Sequence, residues 1–257
     1  MKQHFKHALI IGGSSGIGEA LAKSLASEGT RVALIGRSEE RLKNITAALN
    51  SDSNKDGEHV KDGKHVYFVH DVTNTDEIPE LFQLIARSLG GLDLVIYAAG
   101  VMPSVAFDEY DTTKDLSMLN VNLNGAVAWL NPVAERFGRL KSGTIVGISS
   151  VAGDRGRSGA PVYNTSKAGL TTYLEALRNR IGRYGVKVVT IKPGPVDTPM
   201  TEGMSGLLWL ISAEKAASII LKKARRGAVT AYVPARWRLL MFVFRSIPSF
   251  IFRRLKV

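Results

Sequence analysis

The chain contains no cysteine. That excludes disulfides, thiol nucleophiles and thiolate metal sites together. Its histidines are few and scattered: His4, His7, His59, His65 and His70. None stands at ligand spacing with carboxylates, so no metal site is expected. Long apolar runs are missing too, and nothing approaches the roughly 20 residues of a membrane-spanning helix. The first seven residues carry no apolar stretch with a cleavage site and run straight into a strand, so no secretory signal is visible. Absent cysteine fits a reducing compartment, and the expected location is the cytoplasm, at most peripheral to a membrane. Acid is missing from one end. After Glu214 there is no Asp or Glu, but there are eleven Lys and Arg, which account for the whole formal charge of +11. The charge therefore belongs to the C-terminal segment and requires a local explanation.

What is present is a regular alternation of apolar strands and helices within 257 residues, enough for one substantial core. Ala8-Leu9-Ile10-Ile11 reads as a short buried strand. Gly12-Gly13-Ser14-Ser15-Gly16-Ile17-Gly18 follows, and then apolar positions 17, 21 and 25 at helical spacing. Strand, glycine loop and helix form the context of a phosphate cradle. Glycines let the backbone approach the ligand, and free amides at the helix start point at the anion. A second strand, Thr30-Arg31-Val32-Ala33-Leu34-Ile35, ends in Gly36-Arg37-Ser38 with no acid before Glu39. A carboxylate there would accept from ribose hydroxyls and repel a 2′-phosphate. Arg37 instead suits that phosphate, which favours NADP(H) over NAD(H).

A helix is expected from Ser38 to about residue 50, and residues 51–64 read as a polar surface loop. A third strand, Val66-Tyr67-Phe68-Val69, runs to Asp71-Val72, within reach of an adenine edge. Residues 78–89 read as helical. A fourth strand, Leu92-Asp93-Leu94-Val95-Ile96-Tyr97, ends in Ala98-Ala99-Gly100, small enough for a cofactor to approach. Residues 112–140 read as mostly helical, and Asn122 is a polar group inside that stretch which needs partners. Gly143-Thr144-Ile145-Val146-Gly147-Ile148 is a buried strand leading to Ser150. A sixth strand, Val186-Lys187-Val188-Val189-Thr190-Ile191, is closed by Pro193-Gly194-Pro195-Val196-Asp197-Thr198. Such alternation predicts a single Rossmann-type, doubly wound parallel sheet in a three-layer α/β/α arrangement. Ligands in such sheets bind beyond the strands' carboxyl ends, where Gly12, Ala98, Ser150 and Pro193 all fall.

Tyr163 and Lys167 are four apart, so a helix places both on one face, one turn apart. A phenol is a poor acid at neutral pH. An ammonium one turn away favours the phenolate and lowers its pKa, making Tyr163 a candidate general acid–base with Ser150 nearby.

These landmarks resemble the short-chain dehydrogenase/reductase family over about residues 8–200. The resemblance rests on the glycine loop, Asp71-Val72, Asn122, Ser150, Tyr163 with Lys167, and the Pro-Gly segment at 193. It implies hydride transfer between a nicotinamide and a ketone or alcohol. By that resemblance Tyr163 is the proton donor in reduction, and Lys167 lowers its pKa and binds the nicotinamide ribose. Ser150 holds the carbonyl oxygen, and Asn122 supports a water relaying protons to Lys167. Ile17 and Val196 pack near the nicotinamide, and Ser14, Ser15, Ala99, Gly100, Gly194 and Thr198 join the cofactor contacts. Two departures stand out. The family's Asn-Asn-Ala-Gly is here Tyr97-Ala98-Ala99-Gly100, which puts local rigidity in question, and the usual threonine before the first glycine is Ile11.

Residues 234–257 form a basic apolar extension to a reductase domain of residues 1–233. Arginines beside Trp237, Leu239, Phe242 and Phe250 suit a segment at an anionic membrane surface, or a helix packed on the core with its cations in water. Arg155 and Arg157, between Ser150 and Tyr163, are expected to meet an anionic group on the substrate. This loop and the tail resemble reductases acting on a decaprenyl-phosphate-linked 2-keto-pentose, which implies a lipid-linked substrate. The family resemblance implies that residues 199–211 close over the substrate, and their Met, Leu and Trp content favours an apolar ligand. A homodimer through helices near 115–138 and 161–183 fits better than a tetramer closed by a glycine-rich C-terminus. The alternatives are a soluble carbonyl reductase with no lipid role and a non-catalytic cofactor-binding scaffold, against which the intact Ser150, Tyr163 and Lys167 argue. A nucleic-acid binder ranks last, because the cations sit on an apolar tail.

Overall fold

In the computed structural model, which describes residues 4–52 and 64–255, strands and helices alternate along the chain. The order is β1 (His7–Ile11), α1 (Gly16–Ala26), β2 (Arg31–Gly36), α2 (Glu39–Asp52), β3 (Val66–Val69), α3 (Ile78–Ser88), β4 (Leu94–Tyr97), α4 (Thr112–Leu119), α5 (Gly125–Leu140), β5 (Thr144–Ile148), α6 (Pro161–Ile181) and β6 (Lys187–Pro193). Two short strands, β7 (Val196–Asp197) and β8 (Ile211–Ser212), then α7 (Ala213–Arg225), β9 (Thr230–Val233), α8 (Trp237–Ser246) and α9 (Ser249–Phe252) complete it. Of the surface loop expected at 51–64, residues 53–63 lie outside the described residues, and Ser51 and Asp52 close α2.

Seven strands form one parallel sheet in the order β3-β2-β1-β4-β5-β6-β9. The register fixes both faces, because strand side chains alternate. Ile10 pairs with Leu34 and Ile96 and faces a core holding Leu21 and Leu25 of α1 and Ile220 and Leu221 of α7. Leu9, Ile11, Val95 and Tyr97 face the opposite core, with Phe82 of α3, Trp129 and Phe137 of α5 and Leu174 of α6. Both faces are covered by helices, so the strands read as continuous apolar runs. Each fully buried large side chain contributes about 2 kcal/mol.

Chain order reverses on either side of β1 and β4, opening a crevice at their carboxyl ends. The seventh strand, β9, goes beyond the sequence expectation. Its four residues, TAYV, are too short for their period to be told from a turn.

Candidate active site

The glycine loop joins β1 to α1 at the crevice. Gly12 has φ +88° and Gly16 has φ +53°, both in the left-handed region. A Cβ on Gly18 would overlap the Gly12 carbonyl, and one on Gly12 would run into Ala98 and Ala99. The loop is therefore a bare-backbone cradle with the start of α1 beneath it, and it fits a pyrophosphate. At the end of β2, Arg37 is two-thirds exposed and lies 3.9 Å from Asp71. Burial raises the Asp71 pKa, but hydrogen bonds from Thr73 and the nearby Arg37 and His70 outweigh it, so the carboxyl is held below its usual range.

A cavity of about 570 Å³ runs from this cradle to the end of β5. Gly12, Ser14, Ser15, Gly16, Ile17 and Gly18 line one end, with Arg37, Asp71 and Val72. Ala98, Ala99 and Gly100 line the middle, with Pro193, Gly194, Val196 and Thr198. Ser150, Tyr163 and Lys167 close the other end.

Tyr163 and Lys167 project from the first turns of α6 and are both buried. Lys167 Nζ donates to the Ile148 carbonyl at 3.1 Å and lies 5.7 Å from the centre of the Tyr163 ring. Burial lowers the Lys167 pKa to about 8. Burial raises that of Tyr163, and the Ser150 hydroxyl and the Arg157 guanidinium pull it back in part. The sequence points to Lys167 as the cation acting on the phenol, and Arg157 is a second cation, whose guanidinium favours the phenolate. Its backbone is fixed by Asn164, whose side-chain amide donates to the Arg157 carbonyl at 3.1 Å. Burial lowers the Arg157 pKa as well.

Asn122 lies outside the cavity lining but directly behind it, fully buried in a wide helical turn, Asn120–Asn124, between α4 and α5. Such a turn carries one extra residue and redirects its side chains. Asn122 Oδ1 accepts from Val101 N at 2.8 Å, and its Nδ2 donates to Val101 O at 3.0 Å and Ser166 Oγ at 3.1 Å. It thus ties the loop after β4 to α6 next to Lys167. The rigidity left open by Tyr97 is supplied differently. The Tyr97 hydroxyl donates to Val121 O at 2.6 Å, and Gly125 leaves room for it.

Of the two arginines expected at the substrate, Arg157 lines the cavity and Arg155 points elsewhere. Arg155 Nη1 donates to the carbonyls of Phe244 at 2.5 Å and Ile247 at 2.6 Å, and its guanidinium stacks 3.8 Å from the Phe252 ring centre. It satisfies carbonyls at the end of α8. The neighbouring Asp154 is anchored too: it pairs with Lys192 and accepts from the Tyr232 hydroxyl at 2.7 Å, in a buried network reaching β6 and β9. The turn Val151–Asp154 beside Ser150 is therefore fastened to the sheet on one side and to the tail on the other.

Sequence reasoning missed Trp237. It lines the cavity from the start of α8, against Val151 and Met241, and its ring occupies the space a Cβ on Gly194 would need. No motif marks it; a lone tryptophan in a basic tail carries no periodic signal. Met200, Met204 and Leu207, from the segment expected to close over a ligand, also line the cavity.

A family model described as short chain dehydrogenase matches residues 6–206. An uncharacterized oxidoreductase of Staphylococcus aureus strain MW2 is 35% identical over 196 residues, 76% of this chain and 80% of its own. A short-chain dehydrogenase from Sphingobium yanoikuyae solved in complex with NADPH has a TM-score of 0.79 at 22% identity, covering 95% of this chain and 97% of its own. A short-chain type dehydrogenase/reductase from Mycobacterium ulcerans has a TM-score of 0.80 at 21% identity, covering 99% and 100%. The chain belongs to the short-chain dehydrogenase family of oxidoreductases.

Proposed function

We propose that this enzyme interconverts a ketone and a secondary alcohol with NADP(H), and that its substrate is apolar or lipid-linked and carries an anionic group. The observation that carries the reading is one continuous cavity joining a bare glycine cradle to Ser150, Tyr163 and Lys167. A bound nicotinamide supplies the hydride. The Ser150 hydroxyl holds the carbonyl oxygen, and Tyr163 delivers the proton to it. Arg157 stabilises the phenolate left behind, and Lys167 holds the cofactor ribose and returns a proton from solvent.

Preference for NADP(H) is supported by Arg37 where a discriminating carboxylate would otherwise stand, and by the Sphingobium relative solved with NADPH. The anionic group is supported by Arg157 in the cavity, and the apolar character by Met102, Met200, Met204 and Leu207 around it. A keto-sugar linked through phosphate to a polyprenyl chain combines both features.

The test is steady-state oxidation of NADPH and of NADH against neutral ketones, long-chain keto-lipids and phosphorylated keto-sugars. NADPH with a phosphorylated or long-chain ketone is expected to give the highest kcat/KM, and a strong NADH preference overturns the cofactor assignment. Tyr163→Phe is expected to lower kcat by about 10²–10⁴-fold while still binding NADPH. Turnover that survives intact ends the reading.

A further inference from the structure

The outer side of the tail is apolar and cationic together. On α8, Leu239, Phe242 and Val243 occupy one face at helical spacing and are 72%, 60% and 50% exposed. The opposite face buries Trp237 and Met241. Phe250 and Ile251 continue the exposed apolar surface on α9. Arg238 and Arg245, seven apart, share one border of the α8 stripe, and Arg253 and Arg254 follow α9. No acidic residue follows Glu214 to neutralise them. Among the described residues no helix is long and apolar enough to cross a membrane.

The combination selects its partner. A nucleic-acid backbone would use the arginines and leave the phenylalanines in water. An anionic lipid surface uses both, with headgroups for the cations and the acyl border for the stripe.

We propose that α8 and α9 dock the enzyme on an anionic phospholipid bilayer, lying in the interface with Leu239, Phe242, Val243 and Phe250 turned into it. The surface is joined to the catalytic end of the cavity. Arg155 grips the end of α8 from the turn beside Ser150, and Trp237 passes from α8 into the cavity wall. Trp237 also meets Trp209 of the 199–211 segment edge-to-face at 5.2 Å, and Leu208 and Leu210 on either side of Trp209 are exposed. Docking therefore sets the cavity mouth beside the lipid, where a substrate with a long apolar chain resides. That last consequence rests on the reductase reading; docking itself requires no turnover.

The experiment is cosedimentation of the full chain with vesicles of phosphatidylcholine alone or mixed with phosphatidylglycerol. The protein is expected to pellet with the mixed vesicles, to stay in solution with phosphatidylcholine alone, and to be released as salt rises. The double variant Phe242→Ser/Val243→Ser is expected to bind the mixed vesicles at least about tenfold more weakly. Both side chains are exposed, so its melting curve and NADPH binding are expected to match the parent. Failure to pellet, or equal pelleting of parent and variant, overturns the proposal. So does equal binding to duplex DNA at physiological salt, or a dimer in sedimentation velocity that the double variant splits into monomers. Pelleting without ketone reduction leaves the docking intact and removes the reductase reading instead.

Discussion

Lys167 is a buried cation on the cavity wall, and its replacement by methionine gives a sharp test of the site's energetics. The side chain is 4% exposed and its pKa falls to about 8, against 10.5 in the unfolded chain. Between those values the unfolded chain binds the proton more tightly than the folded one, so folding stability rises with pH across the window. At pH 7 the buried ammonium costs about 3 kcal/mol, and by pH 10 less than about 1 kcal/mol. Lys167→Met removes that cost and also the hydrogen bond to the Ile148 carbonyl, a loss of about 1 kcal/mol. The variant without cofactor is therefore expected to be about 2 kcal/mol more stable than the parent at pH 7, with the advantage vanishing near pH 10. Urea midpoints of both proteins at several pH values measure this, and activity is lost throughout. A variant less stable at pH 7, or a difference that stays constant from pH 7 to 10, refutes the claim that burial destabilises the charged lysine.

Three further substitutions probe the frame around it. Asp154→Asn strands the buried Lys192 ammonium and is expected to cost about 3–5 kcal/mol in urea denaturation; a loss under about 1 kcal/mol means that the pair is not desolvated as the structure has it. Gly18→Ala drives a methyl group into the Gly12 carbonyl and is expected to destabilise the chain by about 1–3 kcal/mol and to abolish NADPH binding by fluorescence titration. Arg155→Ala is expected to loosen the tail locally: at about 1.5–3 kcal/mol for hydrogen bonds from a charged donor, amide exchange in α8 speeds up roughly tenfold or more while the central strands keep their protection.

The sequence by itself determined the parts that depend on local spacing. Alternating apolar runs dictated parallel strands and two helical layers, because a strand buried on both faces tolerates little else. The glycines between β1 and α1 announced the cradle, because only they permit its backbone angles and close approach. The four-residue step from Tyr163 to Lys167 announced a shared helix face. Tertiary structure decided what depends on distant partners. Arg155 and Arg157 are two residues apart and look alike in sequence, yet one enters the cavity and the other grips carbonyls some 90 positions away. Trp237 becomes a cavity wall only because Gly194, from another segment, leaves space for its ring. Asn122 gains its bonds from Val101 and Ser166 because the chain widens its helical turn there, a choice made by packing. Periodicity records which side of an element is apolar. What that side meets is set by contacts across the sheet, which spacing along the chain does not encode.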